Sequence, residues 1–160
     1  MKRIMIAFVS LMATSAFADI YSNNGYYVGG SVVQIDFSAT TAPKASSDYT
    51  ALEFVGGYKH NPFVGGEARV GVTSDLSYLS GYYRVESAND VSKAYLLAGY
   101  TFGTLSEGAY DDFSGFSFGG GVGFVVFEIV NLNLELRMLA LDTKNDLELT
   151  SFNIGVDYRF

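Results

Sequence analysis

Residues 152–160 read FNIGVDYRF. Successive side chains of an extended chain point to opposite faces. Phe152, Ile154, Val156, Tyr158 and Phe160 therefore share one face, and Asn153, Gly155, Asp157 and Arg159 share the other. The first face is apolar or aromatic up to the last residue, where most soluble domains end in a frayed polar tail. What that face meets, a protein core or lipid, is the question the rest of the sequence has to answer.

The same period of two runs upstream. Thr50, Leu52, Phe54, Gly56 and Tyr58 alternate with Ala51, Glu53, Val55 and Gly57, ahead of a turn at Lys59-His60-Asn61-Pro62. Val64, Gly66, Ala68, Val70 and Val72 alternate with Gly65, Glu67, Arg69 and Gly71. Phe116, Phe118, Val122, Phe124 and Val126 alternate with Ser117, Gly119, Gly121 and Gly123, and Leu132, Leu134, Leu136 and Met138 with Asn133, Glu135 and Arg137. Segments 25–37, 78–85 and 93–102 alternate less cleanly, and their inward faces stay open. With 149–160 these make eight strands. Residues 59–62, 86–92 and 127–130 are expected as turns at one end. Residues 38–48, 103–112 and 142–148 are expected as polar loops at the other, with 73–77 a shorter one. The pattern predicts an all-β fold, an eight-stranded antiparallel up-and-down barrel in a single domain.

The N-terminus predicts export. Lys2 and Arg3 precede an uncharged, largely apolar run from Ile4 to Ala13, and Ala16-Phe17-Ala18 fits a small-x-small cleavage pattern. Residues 1–18 are expected as a signal peptide and 19–160 as the barrel, with Asp19 first in the mature chain. The run is too short for a membrane anchor. The absence of cysteine excludes both a bacterial lipid anchor and disulfide support. The net charge of −7, two units more negative once Lys2 and Arg3 leave, argues against nucleic acid as a partner. Thirteen Phe, twelve Tyr and eighteen Gly against two Pro favour strands and turns over helices.

Strands of about ten residues match a tilted membrane crossing, and aromatics near the strand ends suit an interfacial girdle. The alternative, a soluble lipocalin-like barrel, would turn the apolar faces inward and leave Glu53, Glu67, Arg69, Glu135, Arg137, Asp157 and Arg159 in water. In the membrane reading those seven residues point into the lumen. Eight strands leave an interior that side chains just fill, so the charges must pair there. Arg84 joins them if it and Tyr82 also face inward. Arginine suits such a place because its planar fork serves two carboxylates at once.

Catalysis and cofactors find little support. A hydrolase or acyltransferase needs a nucleophile and a base, and the single histidine, His60, falls in a turn. One His and no Cys leave scattered carboxylates as metal ligands. FGGGVGF (118–124) lacks the lysine and strand-loop-helix setting of a phosphate loop, and its glycines read as relief of crowding in a barrel wall. No catalytic, cofactor or metal residue is expected.

GGYKHNPFVGGEARVG (56–71) resembles the second strand, first periplasmic turn and third strand of the OmpA-like and OmpX-like small outer-membrane barrels. GVGF (121–124) with LNLELRM (132–138) is similar to their sixth and seventh strands, and GVDYRF (155–160) to their closing strand. The resemblance spans most of residues 25–160. It implies an integral barrel of the Gram-negative outer membrane, with Glu67 and Glu135 as lumenal carboxylates. It further implies that Tyr158 and Phe160 form the terminal signal read by the barrel assembly machinery. Members of the OmpA branch usually continue into a wall-binding domain, so the end at Phe160 leaves wall anchoring out of the expectation. Trp is absent, and Tyr and Phe must supply any belt. A structural or surface-interaction role is expected for a monomer whose partners are outer-membrane lipid, lipopolysaccharide and host or surface ligands met by loops. A narrow porin-like channel is the alternative, and a lipid-modifying enzyme the third reading.

Overall fold

A computed structural model describes residues 25–39, 46–87, 91–106, 112–127, 129–142 and 147–160. The expected signal peptide over 1–18, with Ala16 and Ala18, lies outside these residues, as does Asp19. Eight strands follow one another: β1 (Gly25–Ala39), β2 (Ser46–Asn61), β3 (Val64–Val72), β4 (Leu76–Glu86), β5 (Ser92–Leu105), β6 (Asp112–Phe127), β7 (Val130–Asp142) and β8 (Leu147–Arg159). Each pairs antiparallel with its neighbours, and β1 closes on β8 from Tyr27↔Arg159 to Ala39↔Leu147. The closed eight-stranded barrel expected from the alternation is the observed fold. Closure leaves no sheet edge unpaired.

The strands run further than the alternation suggested. The loops expected at 38–48, 103–112 and 142–148 shrink because pairing continues through Ser38↔Ser46, Thr104↔Asp112 and Asp142↔Leu147. The turns shrink too. Lys59, His60 and Asn61 belong to β2, Glu86 to β4, Ser92 to β5, Phe127 to β6 and Val130 to β7. The turn between β2 and β3 is held by Asn61, whose Oδ1 accepts from the Phe63 and Val64 amides at 2.9 Å. That is the side-chain-to-backbone turn that Asn favours. The short loop after β3 narrows to 73–75, closed by the Thr73 amide on the Leu76 carbonyl at 2.8 Å.

Polar residues mislead a loop assignment here because the barrel changes its pattern along its length. Near the turns, the outer wall carries Tyr26, Val28, Val32, Phe54, Tyr58, Tyr83, Phe118, Ile154 and Val156, all exposed, while polar residues face inward. Near the loops, Gln34, Asp36, Asp48, Thr50, Ser77, Thr104, Asp112 and Glu148 are exposed, beside the apolar Val72 and Leu141. Their inward neighbours are Val33, Ile35, Ala51, Leu76, Tyr78, Leu105, Phe113, Leu139, Ala140 and Leu149, which form one buried apolar cluster. A membrane crossing needs about 9–11 residues of tilted strand. β1, β2 and β6 have 15, 16 and 16, and their surplus lies at the loop end.

Two local devices fix the register. In β7 the pairing to β8 shifts between Met138 and Ala140, so that Leu139 and Ala140 are both buried. This β-bulge inserts one residue and resets which face points inward. Elsewhere large rings lie over glycines directly opposite on the adjacent strand: Tyr27 over Gly57, Tyr78 over Gly71, Tyr95 over Gly121 and Phe113 over Gly103. A Cβ at any of these glycines would collide with the ring.

Candidate functional site

Among the described residues the interior gathers charge. Inward positions on β2, β3 and β7 bring Glu53, Glu67, Arg69, Glu135 and Arg137 together, each less than a tenth exposed. The Arg69 guanidinium sits at their centre. Its Nη1 donates to Glu135 Oε1 at 2.7 Å and Glu53 Oε1 at 3.1 Å, and its Nη2 to Glu67 Oε1 at 2.7 Å and Glu135 Oε2 at 2.9 Å. Arg137 Nη2 donates to Glu53 Oε2 at 2.7 Å, and its Nε lies 2.8 Å from Glu135 Oε1. Two guanidiniums thus hold three carboxylates across the barrel, using the planar donor fork that lysine lacks.

Neutral donors complete the carboxylates' shells. Tyr27 donates to Glu67 Oε2 and Tyr78 to Glu53 Oε2, both at 2.7 Å. Ser31 reaches Glu53 at 3.2 Å and Asn153 reaches Glu135 at 3.1 Å. The arginines also lie against rings, Arg69 5.3 Å and Arg137 5.6 Å from the Tyr82 centroid, and Arg84 3.8 Å from that of Tyr95. Buried ions are tolerable only with such pairing and hydrogen bonding. Between Tyr27, Glu53, Glu67, Arg69, Arg84 and Glu135 the free space is ≈ 30 Å³, about the share of one water molecule in the liquid.

Toward the loops this network gives way to hydroxyls, then to hydrocarbon. Ser80 and Thr101 share a hydrogen bond at 2.7 Å, and Tyr82 and Ser117 one at 2.5 Å. Above them the apolar cluster around Ile35, Leu76, Phe113 and Leu139 fills the lumen. Toward the turns a second ionic group surrounds Glu86, formed by Lys59, Arg84, Lys93 and Arg159.

The remaining residues singled out from sequence fall elsewhere. Asp157 is buried but accepts from the Asn131 and Asn133 amides, the latter at 2.7 Å, in place of a guanidinium. Arg159 stands apart from the central network, 3.8 Å from Glu86. Arg84 and Tyr82 face inward. Tyr158 and Phe160 are on the outer wall, their rings 5.2 Å apart and edge to face. His60 is exposed at the turn end of β2. Sequence reasoning missed Lys59, Glu86 and Lys93, placing the first two in turns and leaving the third in a segment of open face. Their signal was present: Arg84 and Glu86, Gly57 and Lys59, and Lys93 and Tyr95 each lie two apart. It also missed the tyrosines as partners, because an aromatic residue carries no sign of which solvent it faces.

A closed antiparallel barrel with an apolar outer belt and ion pairs across its interior is the build of a membrane-spanning β-barrel. The family model of the outer membrane protein beta-barrel domain matches residues 4–160, and the chain belongs to that family. Solved structures share the fold. Neisserial surface protein A (NspA) is 16% identical with a TM-score of 0.65, covering 85% of this chain and 97% of its own. The N-terminal barrel of Pseudomonas aeruginosa OprF is 12% identical with a TM-score of 0.62, covering 86% and 99%. Ail, the attachment invasion locus protein of Yersinia pestis, is 17% identical with a TM-score of 0.57, covering 86% and 99%. Comparison with curated protein sequences gave no significant match.

Proposed function

We propose that this chain is a surface protein of the Gram-negative outer membrane, exported by a signal peptide over residues 1–18, in which the barrel is a closed anchor. Its work is done by what it displays at the loop end, in envelope integrity or adhesion, and it is neither a channel nor an enzyme. The observation that carries this reading is the occupied lumen, ionic around Arg69 and apolar around Leu139. An interior of this kind leaves no continuous path for water-borne solute. The turns face the periplasm in this reading, and the exposed acidic residues of the loop end, Asp36, Asp48, Asp112 and Glu148, meet lipopolysaccharide through divalent ions. The protein acts as a monomer delivered by the barrel assembly machinery.

Planar bilayers test the anchor reading. The parent protein should show no long-lived conductance, and frequent large openings would replace the anchor with a channel. Fractionation with electrophoresis of heated and unheated samples should give an outer-membrane protein whose mobility changes on heating. Lipid A mass spectra should be the same with and without the protein.

A further inference from the structure

We infer that the turn-end mouth of the lumen binds a phosphate-class oxyanion, held by Lys93 and Arg159 beside the Glu86 cluster. Four cations converge there from four strands: Lys59 from the end of β2, Arg84 from β4, Lys93 from the start of β5 and Arg159 from the end of β8. Among the described residues they share Glu86. Lys59 donates to Glu86 Oε1, and Arg84 Nε lies 2.9 Å from Oε2. Lys93 Nζ and Arg159 Nη2 remain 3.9 and 3.8 Å from Oε1, beyond hydrogen-bond reach.

Among the described residues the nearby carboxylates Glu67 and Asp157 are committed elsewhere, while Glu86 Oε2 is approached by Arg84 Nε without a hydrogen bond. Glu67 takes Arg69 and Tyr27 at 2.7 Å each, with Arg84 Nη1 at 3.6 Å, and Asp157 takes two asparagine amides. Lys93 is the decisive residue. It is 4% exposed, and its Nζ makes no hydrogen bond among the described residues. An ammonium carries three donors, and burying one without partners is among the costlier arrangements in a protein. In the central network each guanidinium donates from its Nη atoms to carboxylates, although Arg69 Nε and Arg137 Nε make no hydrogen bond, whereas the Lys93 ammonium makes none at all. Among the described residues positive charge at the mouth exceeds negative, and a tetrahedral oxyanion can accept from Lys93 and Arg159 together through separate oxygens. The Arg159 side chain is 16% exposed, which gives the site its opening. The oxyanion is either free phosphate or the phosphate of a lipid headgroup.

The test uses the full-length mature barrel refolded in a non-ionic, phosphate-free detergent. Inorganic phosphate replaces chloride at constant ionic strength, and the temperature at which the folded band converts to the unfolded one is recorded. Binding to the native state predicts a saturable rise of several degrees. The rise should vanish in Lys93→Met and in Lys93→Glu, where the new carboxylate substitutes for the ligand. Phosphatidylglycerol added to the same micelles is the second arm, and a Lys93-dependent rise with it alone assigns the site to a headgroup. Equal rises in parent and variants would reflect general exclusion of phosphate from protein surfaces and overturn the site, as would no rise in either arm. Should neither variant fold, broadening of the phosphorus resonance of phosphate by the parent, reversed by sulfate, supports the site, and an unbroadened resonance overturns it.

Discussion

Along β1 the outward residues run Tyr26, Val28, Val32 and then Gln34 and Asp36, while the inward ones run Tyr27, Ser31 and then Val33 and Ile35. The lower part is hydrocarbon outside and polar inside, and the upper part is the reverse. β8 repeats the change, from Phe152, Ile154 and Val156 outside to Glu148, and from Asp157 and Asn153 inside to Leu149. Both parts share the same hydrogen-bonded ladders. What differs is the solvent each wall meets, lipid below and water above, and the interior is complementary to it. The loop-end segment follows the rule of a soluble barrel with an apolar core. The segment below follows the membrane rule, where the outer wall must be apolar and the inside is free to be ionic.

If the two interiors are built on different forces, substitutions should separate them. Arg137→Glu has the largest expected effect, because it removes the partner of Glu53 and Glu135 and adds a fourth carboxylate to the network. Breaking a buried pair costs on the order of 3–5 kcal/mol, and urea unfolding in lipid vesicles should show at least that loss. Unchanged stability would mean that Arg137 does not hold the lower tier. Replacing Arg137 by Met together with Glu53 by Leu should cost much less than Arg137→Glu, since an apolar pair of similar volume is often nearly neutral. Next in size, Leu139→Ala empties part of the upper cluster and should cost about 2–5 kcal/mol. Its cost should be the same at low and high salt, and a salt-dependent loss would join the two tiers into one.

Deleting Phe160 removes a residue 76% exposed on the outer wall. Its burial against lipid contributes about 1.5–3 kcal/mol, so the purified protein should still refold in detergent with heat-modifiable mobility. In cells the amount reaching the outer membrane should fall sharply if the terminal strand is the assembly signal. Equal loss in both settings would assign Phe160 to stability alone. The smallest effect belongs to the water-facing collar. Asp36→Asn, opposite Asp48 on β2, should change stability by no more than about 0.5 kcal/mol. A loss of several kcal/mol would show that this wall meets something other than water.

Strand number, order and the outward faces of β2, β3, β6, β7 and β8 were legible because lipid and lumen impose a strict period of two. The strand ends were not. A polar outward residue such as Asp48 or Thr104 looks the same in a loop as in a strand that stands clear of the bilayer, so alternation was lost where the solvent changed. The bulge at Leu139 had the same effect, since one inserted residue reverses the phase. Glu53, Glu67, Arg69, Glu135 and Arg137 stood out because charge on the inward face has few explanations. Glu86 lay in a presumed turn and Lys93 beside it, where charge is ordinary. The partnership of Tyr27 with Glu67 joins residues 40 apart in sequence and depends on barrel curvature, which no local pattern carries.

The rings seated on opposing glycines bear on how the chain assembles. Tyr27 with Gly57, Tyr78 with Gly71, and Tyr95 and Phe113 with Gly121 and Gly103 belong to β1·β2, β3·β4 and β5·β6, the three hairpins closed at the loop end before β7 begins. A slip of two residues keeps every side chain on its proper face, so hydrophobicity alone does not forbid it. The slip would drive Tyr27 into Val55 or Lys59, both of which carry side chains where Gly57 has none. Each hairpin therefore carries its own vernier mark, set by partners close in sequence and readable before the cylinder exists. β7 and β8 have the bulge in place of that mark. Closure then becomes the joining of segments already indexed, and a Gly57→Val chain should be born with its first hairpin uncounted.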